Sequence, residues 1–316
     1  MKTKIFYKTI IIGFLLYCLF CGSASAAEML NLEPVQFDSL SLRYPIILVH
    51  GIAIRDHGFV VASWGRIPAI LRDYGLKVYL GNTDAWGSIE SNAEIIKNTV
   101  DKVLEETKAD KVNIIAHSKG GLDSRCFIWK YNYGDKVASL TTLSTPHHGS
   151  FVADLIQSAK PLHTLAAKKS LEALGKIYND TYPNAYAVSY ELTTGHLKEF
   201  NEIVTMDERV YYQSIYSTMN YATDDPIFAS GFLYLKRVIG DNDGLVSEYS
   251  ARWGKNITKV QGGISHGQII DVTGKTLFDI DITNGQPVDT TWRGRTDVGI
   301  PNIYLKFIKD LSDRGF

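Results

Sequence analysis

The sequence predicts an α/β protein with a mainly parallel central sheet and helices on both of its faces. Three observations carry this. Apolar runs of strand length alternate with stretches of helical spacing from residue 45 onward, the rhythm of right-handed crossovers in a parallel sheet. The first run, Pro45-Ile46-Ile47-Leu48-Val49, is apolar without interruption, as a strand covered on both faces must be. A later run, Lys111-Val112-Asn113-Ile114-Ile115-Ala116-His117, leads straight into Ser118-Lys119-Gly120-Gly121 and a helix-like segment. That order places a serine on a tight strand-to-helix turn, where the residues two before and two after it must be small. Here they are Ala116 and Gly120.

The amino-terminal segment is set aside before the fold is argued. Lys2, Lys4 and Lys8 precede a short apolar core, and Ala24-Ser25-Ala26 supplies small residues for cleavage. Residues 1–26 are therefore expected to be a secretory signal peptide, with secretion (extracellular or periplasmic) after cleavage near Ala26. The apolar core is too short for a comfortable membrane span. A lipid anchor at Cys21 is the competing reading, and bulky Phe20 before it argues against that. Cys18 and Cys21 leave with this segment, so Cys126 stands alone, without an internal disulfide partner. It is expected to be a buried small hydrophobe. A net charge of −1 and 45% hydrophobic residues give no reason to expect nucleic acid or an acidic partner. No stable protein partner is expected either.

The elements follow in order. Residues 27–42 form a lead-in without strong periodicity, and the first strand ends at His50-Gly51-Ile52. Residues 67–74 are predicted to be a helix, with Pro68 near its start and Gly75 past its end. Residues 76–80 are a second strand. Ser91-Asn92-Ala93-Glu94 has the form of a capping box, and Ala93, Ile96, Val100, Val103 and Leu104 then make one apolar helical face. The run into Ser118, its helix and a strand over 137–143 come next. From 151 to 234 the rhythm loosens, and the stretch is expected to be a lid-like insertion over the sheet's carboxyl edge, with a helix over 162–178. The alternative is an ordinary second lobe. The core is expected to resume with a strand at Leu235-Lys236-Arg237-Val238-Ile239, just before Gly240-Asp241-Asn242-Asp243-Gly244. Asn284-Gly285 predicts a hairpin between 276–283 and 286–292, and an amphipathic helix over 302–311 closes the chain.

A serine hydroxyl is a weak nucleophile; it needs a base, and the base needs an orienting acid. Five histidines follow Ser118: His147, His148, His163, His196 and His266. Asp243, on a glycine-containing turn, is the candidate acid, with Asp241 as its competitor. Only His266 lies beyond it, in the loop Gly262-Gly263-Ile264-Ser265-His266-Gly267. Order and context converge on Ser118, Asp243 and His266. Backbone N–H groups of Lys119 and Ile52 are the candidate donors to a developing oxyanion, with Gly51 allowing close approach. The Lys119 side chain has no assigned task. His147-His148 is expected to hydrogen-bond locally rather than bind metal, His117 to point away from the reaction, and His57 has no assignable role.

Taken together, several segments resemble bacterial secreted triacylglycerol lipases of the α/β-hydrolase fold. They are Tyr44 through Ile52, Trp64-Gly65-Arg66-Ile67-Pro68, Val112 through Arg125, Leu143-Ser144-Thr145-Pro146-His147-His148-Gly149-Ser150, and Asn242-Asp243-Gly244-Leu245-Val246. The resemblance covers about half the chain beyond the signal segment, stopping short of the insertion and of the tail after Val272. It implies an α/β-hydrolase with Ser118, Asp243 and His266 as triad, Ile52 and Lys119 at the oxyanion, and lipid or ester substrates; the expected insertion and the apolar stretch over 162–174 suggest an acyl pocket opening at a lipid–water interface. Short-chain esterase, phospholipase and polyester depolymerase on the same triad remain open, as does a non-catalytic relative. No organic cofactor is required. Many of these lipases carry a structural calcium near the histidine, with an aspartate two residues after it. Here that position is Gln268, so the resemblance leaves Asp271, with Asp224 or Asp225, as the acidic groups for such an ion.

Overall fold

The structure, a computed structural model, describes residues 40–56, 63–158, 178–272 and 299–316. The signal segment, His57, His163, the hairpin around Asn284-Gly285 and the helix expected over 162–178 (Tyr178 excepted) lie outside these.

Six strands form one sheet among the described residues: β1 (Ile46–Val49), β2 (Val78–Leu80), β3 (Val112–His117), β4 (Val137–Leu143), β5 (Tyr211–Ser217) and β6 (Asn256–Val260). Their order is β2-β1-β3-β4-β5-β6, and every neighbouring pair is parallel. Strand periodicity then assigns the core. Ile47, Val49, Ile114, Ala116 and Leu140 face one side, against α2 (Ile89–Thr107), α3 (Lys119–Tyr131) and α6 (Thr194–Ile203). Ile46, Leu48, Ile115, Leu143 and Ile215 face the other, against α1 (Ile67–Asp73) and α9 (Ile300–Asp313). Strands buried on both faces explain the unbroken apolar runs in β1 and β3. The architecture is an α/β-hydrolase sheet with helices on both faces.

Helix starts follow local chemistry, with one correction. α2 begins at Ile89, and the Ser88 side chain accepts from the Ser91 N–H, so Ser88 rather than Ser91 is its cap. Between β4 and β5 lie α4 (Phe151–Gln157), α5 (Ala185–Glu191) and α6.

Two expectations about the second half are corrected. The run at Leu235-Lys236-Arg237-Val238-Ile239 is not a strand but the end of helix α7 (Ala229–Val238). Phe228, Phe232 and Leu235 are buried at helical spacing, while Val238 and Ile239 are exposed. The sheet resumes earlier, at β5, inside the stretch expected to be an insertion. The edge strand β6 follows the short α8 (Glu248–Ala251) and was not anticipated. The carboxyl ends of β1, β3 and β5, and the loops after α7 and β6, meet on one rim.

Candidate active site

Ser118 stands between the last residue of β3 and the first of α3, with φ 53° and ψ −129°. A non-glycine residue there stores on the order of 1–3 kcal/mol of strain, held by the packing around it. Its N–H donates to Leu143 O at 2.9 Å, tying the turn to β4. Crowding explains the glycines packed around it. A Cβ on Gly51 would come within 2.7 Å of Ser118 Cβ, and one on Gly120 would collide with the carbonyl oxygens of His50 and Val49.

The chain brings three distant side chains together here. His266 Nε2 lies 2.9 Å from Ser118 Oγ, and His266 Nδ1 lies 2.8 Å from Asp243 Oδ2. Asp243 is fixed on its other oxygen, which accepts from the N–H groups of Leu245 (3.0 Å) and Val246 (2.7 Å). The His266 N–H donates to Asp243 O at 2.9 Å, so acid and imidazole are joined through the backbone as well. All three side chains are buried. Asp241, the competing acid, instead pairs with Lys236 and Lys259 at the surface.

The expected oxyanion loop is held from behind. His50 Nδ1 donates to Gly51 O at 2.7 Å, and Nε2 sits 3.3 Å from the Thr83 hydroxyl. Ala53 N–H donates to Ala85 O. Ile52 N–H has no backbone acceptor among the described residues, and Lys119, as the first residue of α3, has none within its helix. Among the described residues neither N–H is taken by a backbone acceptor, and N–H groups of this kind are what an oxyanion needs. The Lys119 ammonium points elsewhere and pairs with Asp123 at 2.6 Å.

His117 departs from expectation. It does not turn away: its Nε2 donates to His266 O at 3.0 Å, and the two rings lie 4.7 Å apart. Burial first, then the neighbouring His266 and His50, pushes its pKa well below the ordinary imidazole value, so the ring is neutral. Phe228 covers His266 edge-on from another side, with centroids 6.1 Å apart. No residue spacing would have flagged His117 or Phe228; both act through contacts made only in the folded chain. His147 bonds locally, as expected, to Arg125 (3.2 Å) and Thr142 (3.1 Å).

The residues named for calcium are turned to protein partners. Arg66 Nε and Nη2 grip the Asp271 carboxylate at 2.7 and 2.6 Å, and the Arg66 N–H adds a third bond at 2.9 Å. Asp224 accepts from the N–H groups of Asn220 and Tyr221, and Asp225 accepts from Ser265 Oγ at 2.7 Å. Gln268 accepts from Ser265 N–H and donates to Asp224 O. Among the described residues no group of three or more His, Cys, Asp or Glu side chains converges on a point. A hard cation needs several free oxygens around it, and a guanidinium already neutralises Asp271. This set does not fit calcium.

The model of the palmitoyl protein thioesterase family matches residues 45–202. The chain is 30% identical over 270 residues to a protein of Saccharomyces cerevisiae named triacylglycerol lipase 2, covering 81% of this chain and 75% of that one. It is also 30% identical over 273 residues to a triacylglycerol lipase of Pseudarthrobacter phenanthrenivorans, covering 68% of this chain and 85% of that one. Among solved structures, a metagenomic carboxyl esterase overlays with a TM-score of 0.62 at 16% identity, covering 98% of this chain and 91% of the other. A lipase of Bacillus licheniformis overlays at 0.55 with 22% identity, covering 80% and 93%. The overlays share the fold and the two curated relatives extend across most of the chain, so it belongs to the lipase family of the α/β-hydrolase type and is an ester-hydrolysing enzyme.

Proposed function

We propose that the protein is a secreted triacylglycerol lipase working through an acyl-enzyme on Ser118. The observation that supports this most is the continuous line from Asp243 through His266 to Ser118, with contacts of 2.8 and 2.9 Å. In this reading His266 Nε2 takes the Ser118 proton as the oxygen attacks the ester carbonyl, and Asp243 stabilises the imidazolium that forms. Charge developing on the carbonyl oxygen is met by the N–H groups of Ile52 and Lys119; losing one such donor costs about 3 kcal/mol of barrier. The tetrahedral intermediate collapses with the proton passing from His266 to the leaving alcohol. Water, deprotonated by the same imidazole, then releases the acyl group and restores Ser118. None of these steps calls on a metal or an organic cofactor.

The acylglycerol preference rests on the names of the curated relatives, and the lipid–water interface on the lid-like insertion expected over 151–234, of which the described part before β5 stays outside the sheet. Secretion rests on the pattern of residues 1–26. Two experiments test the proposal. A fluorophosphonate probe should label the wild-type protein and leave Ser118→Ala unlabelled; an unlabelled wild type removes the acyl-enzyme mechanism. Hydrolysis of long-chain acylglycerols should rise sharply above the concentration at which they aggregate. Equal rates on dispersed short-chain esters and aggregated long-chain ones would make the protein a plain esterase instead.

A further inference from the structure

Two separate arcs of chain lead away from His266, and they meet again at one ion pair. Along the first, His266 O accepts from His117 Nε2, and the His117 ring meets the edge of Trp64, with centroids 6.5 Å apart at 77°. Trp64 is fully buried at φ 76°, a backbone state that a bulky side chain occupies only when its surroundings enforce it. Two residues on is Arg66. Along the second arc, His266 leads into the tight turn Gln268–Ile270, closed by Asp271 at φ 60°. Ile269 and Ile270 in that turn are buried, and Tyr304 Oη donates to Ile269 O at 3.0 Å while meeting Trp64 edge-on. The arcs close where the Arg66 fork and backbone N–H hold the Asp271 carboxylate.

We infer that the Arg66–Asp271 pair is the clasp that sets the position of the His266 imidazole, and that Arg66 is a positioning residue for ester hydrolysis. The inference rests on the reading of His266 as the base. Asp271 (φ 60°) and Trp64 (φ 76°), two residues before Arg66, are both non-glycine residues in left-handed backbone, a state held by the contacts around it. The carboxylate is almost wholly buried, with a side-chain exposure of 3%, and Arg66 supplies its charge partner. Removing the guanidinium leaves a buried carboxylate held only by the Arg66 backbone N–H, a cost that a shift of the turn following His266 relieves. Burial alone would lower the Arg66 pKa, but the hydrogen bonds and charge of Asp271 outweigh it, so the guanidinium stays charged. A lysine cannot take its place, because a single ammonium cannot make the parallel pair of bonds. A small displacement of a catalytic group can cost on the order of a hundredfold in rate.

The test compares Arg66→Ala and Arg66→Lys with the wild type. Expected for Arg66→Ala is a kcat lower by about a hundredfold with little change in KM, restored in a saturable way by added guanidinium and not by equal urea. Arg66→Lys, which keeps charge and bulk, should fold as the wild type does and still lose about tenfold in kcat, the scale of loss when a side chain that orients an active group is changed. Hydrogen exchange should quicken in the peptide spanning 266–272 and stay unchanged in β1. A folded Arg66→Lys with wild-type kcat, or a loss of rate that guanidinium does not reverse in folded Arg66→Ala, overturns the inference. Fluorophosphonate labelling of the wild type separates the two readings: if it fails while exchange at 266–272 still quickens, the catalytic role of His266 falls and the clasp stands as architecture alone. If labelling succeeds and exchange does not change, the clasp falls.

Discussion

Lys119 and Asp123, one turn apart on α3, form a buried ion pair at 2.6 Å directly behind Ser118. Asn92 on α2 donates to the other Asp123 oxygen at 2.9 Å and is itself bonded to both backbone groups of Asp84. The pair joins the helix of the nucleophile to the loop after β2. Breaking a buried pair by removing one partner costs about 3–5 kcal/mol, whereas replacing both with apolar groups of similar volume is often neutral. Lys119→Met should therefore lower stability by about 3 kcal/mol, and Lys119→Met with Asp123→Leu should recover most of it. Urea melts of the three proteins decide this; a double variant weaker than the single one would show that the charges are needed for folding.

The same pair carries a pH dependence. Burial pushes the Asp123 carboxyl up to about 6 from 3.8, despite the opposing Lys119 ammonium and the Asn92 bond. The folded state then holds this proton more tightly than the unfolded chain does. The contribution is complete below pH 4 and is lost as pH rises through about 6. Wild type should thus lose stability relative to Asp123→Asn across that window, by about 3 kcal/mol. Melting temperatures of both proteins from pH 4 to pH 7 test the sign: parallel curves contradict it.

Much of the sheet was legible because β1, β3 and β4 are buried on both faces and their sequences say so. β5 was not, for a definite reason. Gln213, Ser214 and Ser217 are buried in it, and two of these polar groups find distant partners: Gln213 donates to Thr141 Oγ1 on β4 at 2.8 Å and Ser214 to Trp253 O, ahead of β6, at 2.7 Å. Hydropathy does not detect a polar residue whose partner is distant in sequence. The opposite error arose at Val238 and Ile239, which are β-branched and apolar yet exposed at the end of α7. At the site, Ser118 was marked by its neighbours, and Asp243 and His266 by their order. Arg66 and His117 act only through Asp271 and His266, across 205 and 149 residues of chain, and no local pattern encodes that.

Cys126 gives a reagent-based check on the same helix. It is buried, and burial together with the Asp123 charge pushes its thiol up to about 12. The thiolate is the reactive form, so the folded protein should leave Cys126 unmodified by iodoacetamide at pH 8. Unfolding in urea should make it react fully. Peptide mapping distinguishes the states; rapid native alkylation at Cys126 would mean that α3 opens readily.

Metal removal should be without effect. The Asp271 carboxylate is already held by three N–H groups of Arg66, so a calcium ion would have to displace a guanidinium. Neither a chelator nor added calcium should move the melting temperature or the rate of ester hydrolysis. A ligand bound only by the folded state raises stability with its concentration. A melting temperature that climbs with calcium would therefore place an ion on this protein.

The sharpest single substitution is Gly51→Ala. Gly51 carries no side chain because the Ser118 side chain occupies the space: the new methyl would lie 2.7 Å from Ser118 Cβ and 3.3 Å from its Oγ. His50 Nδ1 holds Gly51 O from behind, so the loop cannot simply retreat. The serine is the part that yields, and a shift of about 1 Å there costs on the order of a hundredfold in rate. Stability should fall by only about 1–3 kcal/mol, the usual range for overpacking. Gly51→Ala is thus expected to remain folded, with kcat depressed far more than its melting temperature implies. Fluorophosphonate labelling should slow in proportion to kcat, and a variant labelled at the wild-type rate would mean that the loop, not Ser118, had moved.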